Sequence, residues 1–230
     1  MVGSSVRRLM ATAALIGLGI VSAGRADAAV TTYTSSAAFT AGLGGFAVAT
    51  ENYAGFTAGN LINAGDSFNG LTYSAFTAGP SGTLLGGDIT SLYNSFSGLS
   101  LGGRQSGGAQ FFFGGDSFTV TFATPVNAFG IFFNVNPNSG NYGISTSVGN
   151  AVTGSASYDT STFVFAGLIS TTSFSSATIY STDARLGSYN IPEIVTASAP
   201  AVPEPSALVM GLLGMVSMGG AVLRSRRVVR

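Results

Sequence analysis

The stretch SFTVTFATPVNAFGIFFNV, residues 117–135, decides the fold class. Phe118, Val120 and Phe122 alternate with serine and threonine, which is the pattern of a strand with one buried and one solvent-facing side. Thr124-Pro125 predicts a turn, and the more apolar run at 126–135 predicts a second, central strand.

The same kind of pattern recurs along the chain between Gly-rich and Asn-rich turns. Further strands are predicted at 70–77, 109–113, 142–148, 162–168, 174–181 and 191–197. Long helical patterns are absent, so we expect an all-β fold, an antiparallel β-sandwich of jelly-roll type over residues 29–200. A small β-barrel or a β-solenoid is the alternative, although no regular repeat supports the solenoid.

One short helix is expected near the start of this body. Ser35 or Ser36 is placed to cap residues 37–41, and Gly42 is placed to end them.

The composition excludes several classes of function. The chain has no Cys and no His, and all nine of its basic residues are arginine. Thiol, imidazole and Ser-Lys catalysis are therefore excluded, as are Cys/His zinc sites. Between residues 29 and 201 two arginines stand against seven acidic residues, which leaves the body at −5. A nucleic-acid partner is not expected, because phosphate binding needs a basic surface.

The first 28 residues have the pattern of a secretory signal peptide. Arg7 and Arg8 precede an apolar run at 9–23, and Ala26-Asp27-Ala28 is a small-x-small cleavage site. We expect the mature chain to begin at Ala29.

The last 30 residues have three parts in a fixed order. Pro203, Glu204 and Pro205 form a stiff, extended segment, because proline cannot continue a helix interior. An apolar run at 207–223 follows, and at about 1.5 Å per residue it spans about 25 Å, which makes it a marginal membrane helix. The basic end contains Arg224, Arg226 and Arg227, which the positive-inside rule places in the cytoplasm.

This three-part arrangement at 201–230 resembles the PEP-CTERM sorting signal, with Pro203, Glu204 and Pro205 as its signature residues. The resemblance implies recognition by exosortase, a membrane-embedded processing protease of Gram-negative bacteria that make exopolysaccharide. It implies a precursor in the inner membrane and a mature form at the cell surface or in the extracellular matrix.

The body resembles the lectin-like sandwich modules often attached to this signal. The stretches that carry the resemblance are YTSSAAF at 33–39, 118–133, 163–180 and YNIPEIVTA at 189–197. Related modules often have acidic residues just before the closing strand, where this chain has Asn190-Ile191-Pro192-Glu193.

Candidate glycan contacts are tyrosines next to Asn or Asp at predicted loop edges, since aromatic faces stack on sugars and carboxylate or amide groups bind hydroxyls. Such pairs are Tyr93-Asn94, Asn141-Tyr142, Tyr158-Asp159 and Tyr189-Asn190. The alternative is that each ring packs on the sandwich with its hydroxyl in water.

Carboxylates are the other candidate groups. The motif GDSF occurs at 65–68 and 115–118, so Asp66 and Asp116 are candidates for a structural calcium site or for two turns that enter strands. Two of the seven acids would suffice for glycoside cleavage, which leaves a polysaccharide-cleaving enzyme as a third class. The Gly-rich stretch 102–108 has no Gly-Lys-Ser/Thr and is predicted to be a flexible loop.

The sequence thus favours an exported, non-catalytic protein with a structural or adhesive role at the cell surface or in an exopolysaccharide matrix. A carbohydrate-binding module is the alternative. No cofactor is expected apart from the calcium considered above.

Overall fold

The computed structural model describes residues 28–80, 82–91, 98–136, 142–153, 163–181 and 187–200. Within these ranges the chain forms one helix and thirteen strands, and the strand pairs are antiparallel. The elements in chain order are β1 (Val30–Tyr33), α1 (Ser36–Leu43), β2 (Ala47–Glu51), β3 (Leu61–Ile62), β4 (Ser67–Phe68), β5 (Leu71–Thr77), β6 (Leu84–Ser91), β7 (Leu99–Gln105), β8 (Phe112–Phe113), β9 (Ser117–Asn136), β10 (Tyr142–Thr146), β11 (Asn150–Val152), β12 (Phe163–Ser181) and β13 (Ser188–Ser198).

Two long strands organise the sheet. β9 has 20 residues and β12 has 19, and they pair with each other along most of their length. Their pairing shifts register between Ile169 and Ser176 of β12, which divides both strands into two halves. One half, residues 117–122 and 176–181, pairs with β5 and β10. The other half, residues 126–136 and 163–170, pairs with β13 and β1.

The two halves share one apolar core. Phe118 and Val120 from the first half and Phe129 and Ile131 from the second half are fully buried in the same cluster. The rings of Phe122 and Phe129 lie 5.4 Å apart between centroids and join the halves directly. The prediction of an all-β, antiparallel fold is confirmed, and the shared core is consistent with a β-sandwich. The jelly-roll connectivity stays a prediction.

A smaller apolar cluster lies on the outside of the second half, beneath α1. Phe39 and Leu43 of the helix pack there against Ala128, Phe165 and Ala197. Gly130 and Gly167 are direct cross-strand partners under the Phe39 ring. A Cβ at Gly167 would lie 2.8 Å from Cδ2 of Phe39, so the glycine pair makes the seat for this ring.

The helix was predicted correctly, but its end was not. The Ser35 side chain accepts a hydrogen bond from the Ala38 N–H at 3.5 Å, as expected for an N-cap. The helix continues through Gly42 to Leu43, and Gly44, with φ of +53°, follows as the C-cap. Gly42 serves close packing instead, because a Cβ there would lie 2.5 Å from the Tyr33 hydroxyl.

The predicted turn at Thr124-Pro125 is wrong, because β9 is one continuous strand. The register with β12 jumps from Thr121 to Val126, so Pro125 lies where no ladder bond is formed. A residue without an N–H is tolerated at such a bulge. The predicted strands at 162–168 and 174–181 are likewise parts of the single strand β12.

The prediction of a loop across 102–108 is also wrong for its first half. Gly102 and Gly103 lie within β7, which ends at Gln105. A Cβ at Gly102 would collide with the Gln110 carbonyl oxygen, and one at Gly103 would lie 2.8 Å from Cδ1 of Phe112. Both positions require glycine, because the segment 110–112 packs too closely against β7 to leave room for a Cβ.

The two predicted targeting segments lie outside the described residues, apart from Ala28. In the part of the chain that the structure describes, no helix is both long and apolar enough to cross a membrane. The predicted membrane helix at 207–223 does not belong to that part.

Candidate functional site

Most of the residues singled out from the sequence lie outside the described ranges. They are the sorting residues Pro203, Glu204 and Pro205, the arginines Arg224, Arg226 and Arg227, and the candidate glycan contacts Tyr93, Asn94, Tyr158 and Asp159.

The tyrosines of the other two pairs do not lie at the surface. Tyr142 and Tyr189 are each 1% exposed, and their rings pack edge to face with centroids 5.2 Å apart. The Tyr189 hydroxyl donates a hydrogen bond to the Asp116 carbonyl oxygen at 2.7 Å, and burial raises the pKa of this phenol. The prediction of glycan contact by these two rings is therefore wrong and the alternative, packing of the rings on the sandwich, is confirmed, although the Tyr189 hydroxyl bonds within the core and not with water.

The two GDSF motifs form the same local structure. In each, the Asp N–H donates to the carbonyl oxygen three residues earlier, and the Asp carboxylate accepts from the N–H of that same residue. Gly65 and Gly115 have φ of +97° and +86°, a conformation that glycine adopts without strain. Both Asp residues directly precede a strand, as the turn interpretation predicts.

The surroundings of the two carboxylates differ. Asp66 is partly exposed, and its carboxylate also accepts from the Asn63 side chain at 3.3 Å. Asp116 is fully buried, and accepts from the Gly79 N–H and the Gln105 side chain, each at 2.7 Å. Amide donors therefore surround Asp116, which ties three segments of the chain together.

Two more buried carboxylates bind amide donors. Glu51 accepts from the Tyr53 N–H and from the Asn69 side chain, each at 2.5 Å. Tyr53 and Asn69 both have positive φ, of 59° and 49°, so this carboxylate holds two left-handed residues in place. Asp88 accepts from the Gln110 side chain at 3.0 Å through one oxygen.

Some buried oxygen atoms in the described core have no hydrogen-bond partner. They include the second carboxylate oxygen of Asp88, Oγ of Ser100 and Oδ1 of Asn190. Asp88 lies opposite Gly102, and a Cβ at Gly102 would lie 3.2 Å from the Asn190 oxygen. All these atoms are oxygens, but in the described ranges no three His, Cys, Asp or Glu side chains come together as a metal-binding group.

The open side of the first half carries a regular array of hydroxyls. Thr119 and Thr121 of β9 lie directly opposite Thr178 and Ser176 of β12. The three threonines alternate with buried apolar neighbours, Ser176 directly precedes the buried Ala177, and all four side chains are partly or fully exposed. The Thr119 and Thr178 hydroxyls are hydrogen-bonded to each other at 3.0 Å.

The array extends across neighbouring strands in rows. Ser74 of β5 continues the row of Thr119 on one side, and Ser145 of β10 continues it on the other. A parallel row runs from Ser67 through Thr72 to Thr121, and the Ser67 and Thr72 hydroxyls lie 2.7 Å apart. The spacing is about 4.8 Å between strands and about 6.7 Å along each strand.

A third row contains an aromatic side chain. Tyr180 lies between Ser117 and Gly143 in the register. A Cβ at Gly143 would lie 2.6 Å from Cζ of Tyr180, so the phenol end of the ring lies directly over this glycine. The ring therefore lies along the sheet surface, and Tyr180 remains partly exposed.

We refer to this array as the hydroxyl face, and none of its members is charged at neutral pH. Its members are Ser67, Thr72, Ser74, Thr77, Ser117, Thr119, Thr121, Ser145, Ser176, Thr178 and Tyr180. The alternation in 117–122 marks one strand of it, but the rows depend on the register between distant strands, which the sequence does not state.

Comparison with known proteins identifies a sorting motif in the sequence and a distant structural likeness. A family model described as the PEP-CTERM protein-sorting motif matches residues 201–227, so the chain carries this motif. No curated protein matches the sequence. Among solved structures, the chain is similar to the CBM22-1 xylan-binding domain of Xyn10C from Paenibacillus barcinonensis, with 12% identity and a TM-score of 0.35. That match covers 64% of this chain and 99% of the domain, and at this TM-score it says nothing about ligands of this chain.

Proposed function

We propose that this chain is an exported protein of a Gram-negative bacterium, with a non-catalytic structural or adhesive role at the cell surface or in the exopolysaccharide matrix. The observation that carries the proposal is the PEP-CTERM motif at residues 201–227. Its order of a Pro-Glu-Pro segment, an apolar run and clustered arginines fits a chain that is held briefly in the inner membrane and then cut.

The proposed partner in that step is an exosortase-type membrane protease. The apolar run at 207–223 holds the precursor in the inner membrane, with Arg224, Arg226 and Arg227 on the cytoplasmic side. Pro203, Glu204 and Pro205 then lie on the outer side, where they keep the backbone extended and accessible to the protease.

A non-catalytic role is supported by how four of the five acidic side chains in the described ranges are used. Asp66, Asp116, Glu51 and Asp88 each accept hydrogen bonds from amide groups, which is the behaviour of turn and core anchors. A glycoside-cleaving pair would instead have one carboxyl that donates a proton and a second that acts as base or nucleophile.

The sorting step is tested by replacing Pro203, Glu204 and Pro205 with alanine in the full chain. We expect the unprocessed precursor to accumulate in the inner membrane, detected by immunoblotting of membrane and extracellular fractions. Pro200→Ala is the matched control, because this proline lies just outside the motif. Unchanged processing of the triple variant would contradict the proposal.

The alternative function is a carbohydrate-binding module, which the open, uncharged hydroxyl face favours. On that alternative the sequence assigns the contacts to Tyr93, Asn94, Tyr158 and Asp159. Glycan-array binding that Tyr93→Ala or Tyr158→Ala abolishes would favour these contacts. Absence of binding, together with altered biofilm texture when the protein is deleted, would favour the structural role.

A further inference from the structure

We propose that the hydroxyl face binds single chains of a neutral polysaccharide, with Tyr180 as a stacking platform. This inference rests on the proposed function, since it supplies a ligand class for an exported protein of the matrix. It assigns the binding surface to described residues of the sheet, which are different residues from the sequence-predicted contacts Tyr93 and Tyr158.

The absence of charged side chains from the face indicates which class of partner it fits. Every row of the face consists of uncharged side chains, as in the row Ser74, Thr119, Thr178 and Ser145. Anionic lipids, nucleic acids and acidic polysaccharides are attracted by Lys and Arg, which the face lacks. The body also carries five more acidic than basic residues and repels polyanions at long range. An uncharged polymer is the complementary partner.

The hydroxyls suit a sugar polymer in both chemistry and rigidity. A Ser or Thr hydroxyl both donates and accepts a hydrogen bond, as a sugar hydroxyl does. Threonine is branched at Cβ and has a stiff χ1 angle, so the hydroxyls of Thr119 and Thr178 are held in place before binding. Little side-chain freedom is then lost on binding, which lowers the entropic cost of each contact.

Tyr180 provides the apolar part of the surface. Because Gly143 has no side chain, the phenol end of Tyr180 lies down over β10. A ring that lies along the surface offers its face to the C–H side of a sugar ring, while its hydroxyl remains a hydrogen-bonding group. Ser117 lies beside it in the same row and contributes a hydroxyl.

The twist of the sheet favours single chains over crystalline polysaccharide. The face crosses β4, β5, β9, β12 and β10, which makes four steps between strands. At roughly 20–25° per step, the rows rotate by roughly 80–100° from one edge to the other. A flat crystal surface contacts only part of such an array, whereas a flexible chain follows it.

The test measures binding of the full-length chain, kept in a sugar-free nonionic detergent, by affinity electrophoresis. The probes are a soluble β-glucan, a galactomannan and dextran, with alginate as the anionic comparison. Thr121→Lys places a charge on an exposed position of the face, and Tyr180→Ala removes the platform. Thr50→Lys is the matched control, since Thr50 is an exposed strand threonine of β2 away from this face. Tyr180→Phe keeps the ring without its hydroxyl.

We expect the unmodified chain to bind at least one neutral polymer and not alginate. Thr121→Lys and Tyr180→Ala should each weaken binding by about tenfold or more, which corresponds to about 1.4 kcal/mol. Thr50→Lys should stay within about threefold of the unmodified chain, because Thr50 does not belong to the face. Tyr180→Phe should also stay within about threefold, since it keeps the stacking ring and loses only one neutral hydrogen bond. If Thr121→Lys fails to fold, Ser67→Lys at the exposed edge of the same face replaces it.

Three results would overturn the inference. They are the absence of binding to every neutral probe, stronger binding to alginate, and equal binding by the unmodified chain and the face variants. Binding that survives on the face variants but is lost in Tyr158→Ala would move the site to the sequence-predicted contacts. Each of these results leaves the sorting proposal intact, because processing of the Pro-Glu-Pro variant is measured separately.

Discussion

The two halves of β9 and β12 have similar inner sides and opposite outer sides. In the first half the outward side chains are hydroxyls such as Thr119 and Thr178, and they remain open to solvent. In the second half the outward positions include Gly130 and Gly167, and α1 covers them with the Phe39 ring. We call these the open half and the covered half.

The difference shows that the residues on the inner side of a strand do not determine what packs against its outer side. The buried phenylalanines run through both halves, from Phe118 to Phe133. Only the outward residues change, and they change at the register shift near Pro125. A glycine pair with apolar neighbours favours packing of a helix, because it leaves apolar surface of the sheet uncovered and space above it for an aromatic ring. Hydroxyls do not, because water already satisfies them.

The largest effect on stability is expected when the Phe39 ring of α1 is removed from the covered half. Phe39→Ala deletes a ring that is 1% exposed, so the free energy of unfolding should fall by about 3–5 kcal/mol, as for other buried phenylalanines. Denaturant unfolding followed by circular dichroism measures it. Tyr180→Ala, which removes a partly exposed ring from the open half, should cost less than half as much. Equal losses would contradict the distinction between the halves.

Changes in stability of intermediate size are expected at two crowded glycines, Gly130 in the covered half and Gly143 of β10 beside the open half. A Cβ at Gly130 would lie 2.7 Å from Cζ of Phe165 and 2.9 Å from Cε1 of Phe39, both packed rings. Gly130→Ala should therefore destabilise the protein by about 1–3 kcal/mol through overpacking.

Gly143 in the open half is equally crowded but has a different neighbour. A Cβ there meets the end of Tyr180 at 2.6 Å and the Ala151 carbonyl oxygen at 3.1 Å. The partly exposed Tyr180 side chain is able to rotate into water, so only the contact with the β11 backbone remains tight. Gly143→Ala should therefore destabilise the protein by about 1 kcal/mol or less. It should also weaken polysaccharide binding, because it lifts the Tyr180 ring from the sheet. The two alanine variants are compared in the same thermal melts, and equal losses of stability would show that crowding alone decides the cost.

The smallest expected effect concerns pH. Glu193 of β13 lies opposite Phe132 of the covered half, and burial raises the pKa of its carboxyl above the ordinary value of 4.5. A raised pKa in the folded state means that the protonated form is favoured by folding. This contribution is present below pH 4.5 and is lost as pH rises through the folded-state pKa.

Glu193→Gln should therefore flatten the dependence of the melting temperature on pH above 4.5. At neutral pH the variant should be slightly more stable than the unmodified chain, and the two should converge in acid. Melting temperatures between pH 4 and pH 8 measure this. A variant that is less stable at neutral pH would show that the carboxylate has a stabilising partner instead.

Local patterns predicted the parts of the fold that depend on neighbouring residues. The alternation in 117–122, the strand at 70–77 and a helix cap at Ser35 or Ser36 were predicted from such patterns. The structure contains both strands, and the cap is Ser35. The class of the fold follows from them, because strands with one apolar side must pair and bury it.

The parts that depend on distant residues were not predictable in this way. Gly102 and Gly103 read as a loop, because the crossing segment that excludes a Cβ there comes later in the chain. For Tyr142 and Tyr189 the sequence left glycan contact and packing on the sandwich both open, since nothing local distinguishes a core tyrosine from an exposed one. The hydroxyl face was visible as single alternating strands but not as rows. The rows exist only because β5, β9, β12 and β10 adopt one register.

The position of β13 bears on when this chain acquires its structure. The last strand of the body pairs with β9 on one edge and with β2, β7 and β8 on the other, so it lies inside the sheet and not at its margin. During export β2 crosses early and waits for residues 188–198 to emerge, because β13 is its strand partner in the described ranges. Only four residues then separate Ser198 from Pro203. Completion of the sheet and emergence of the sorting motif at residues 201–227 are therefore nearly simultaneous events.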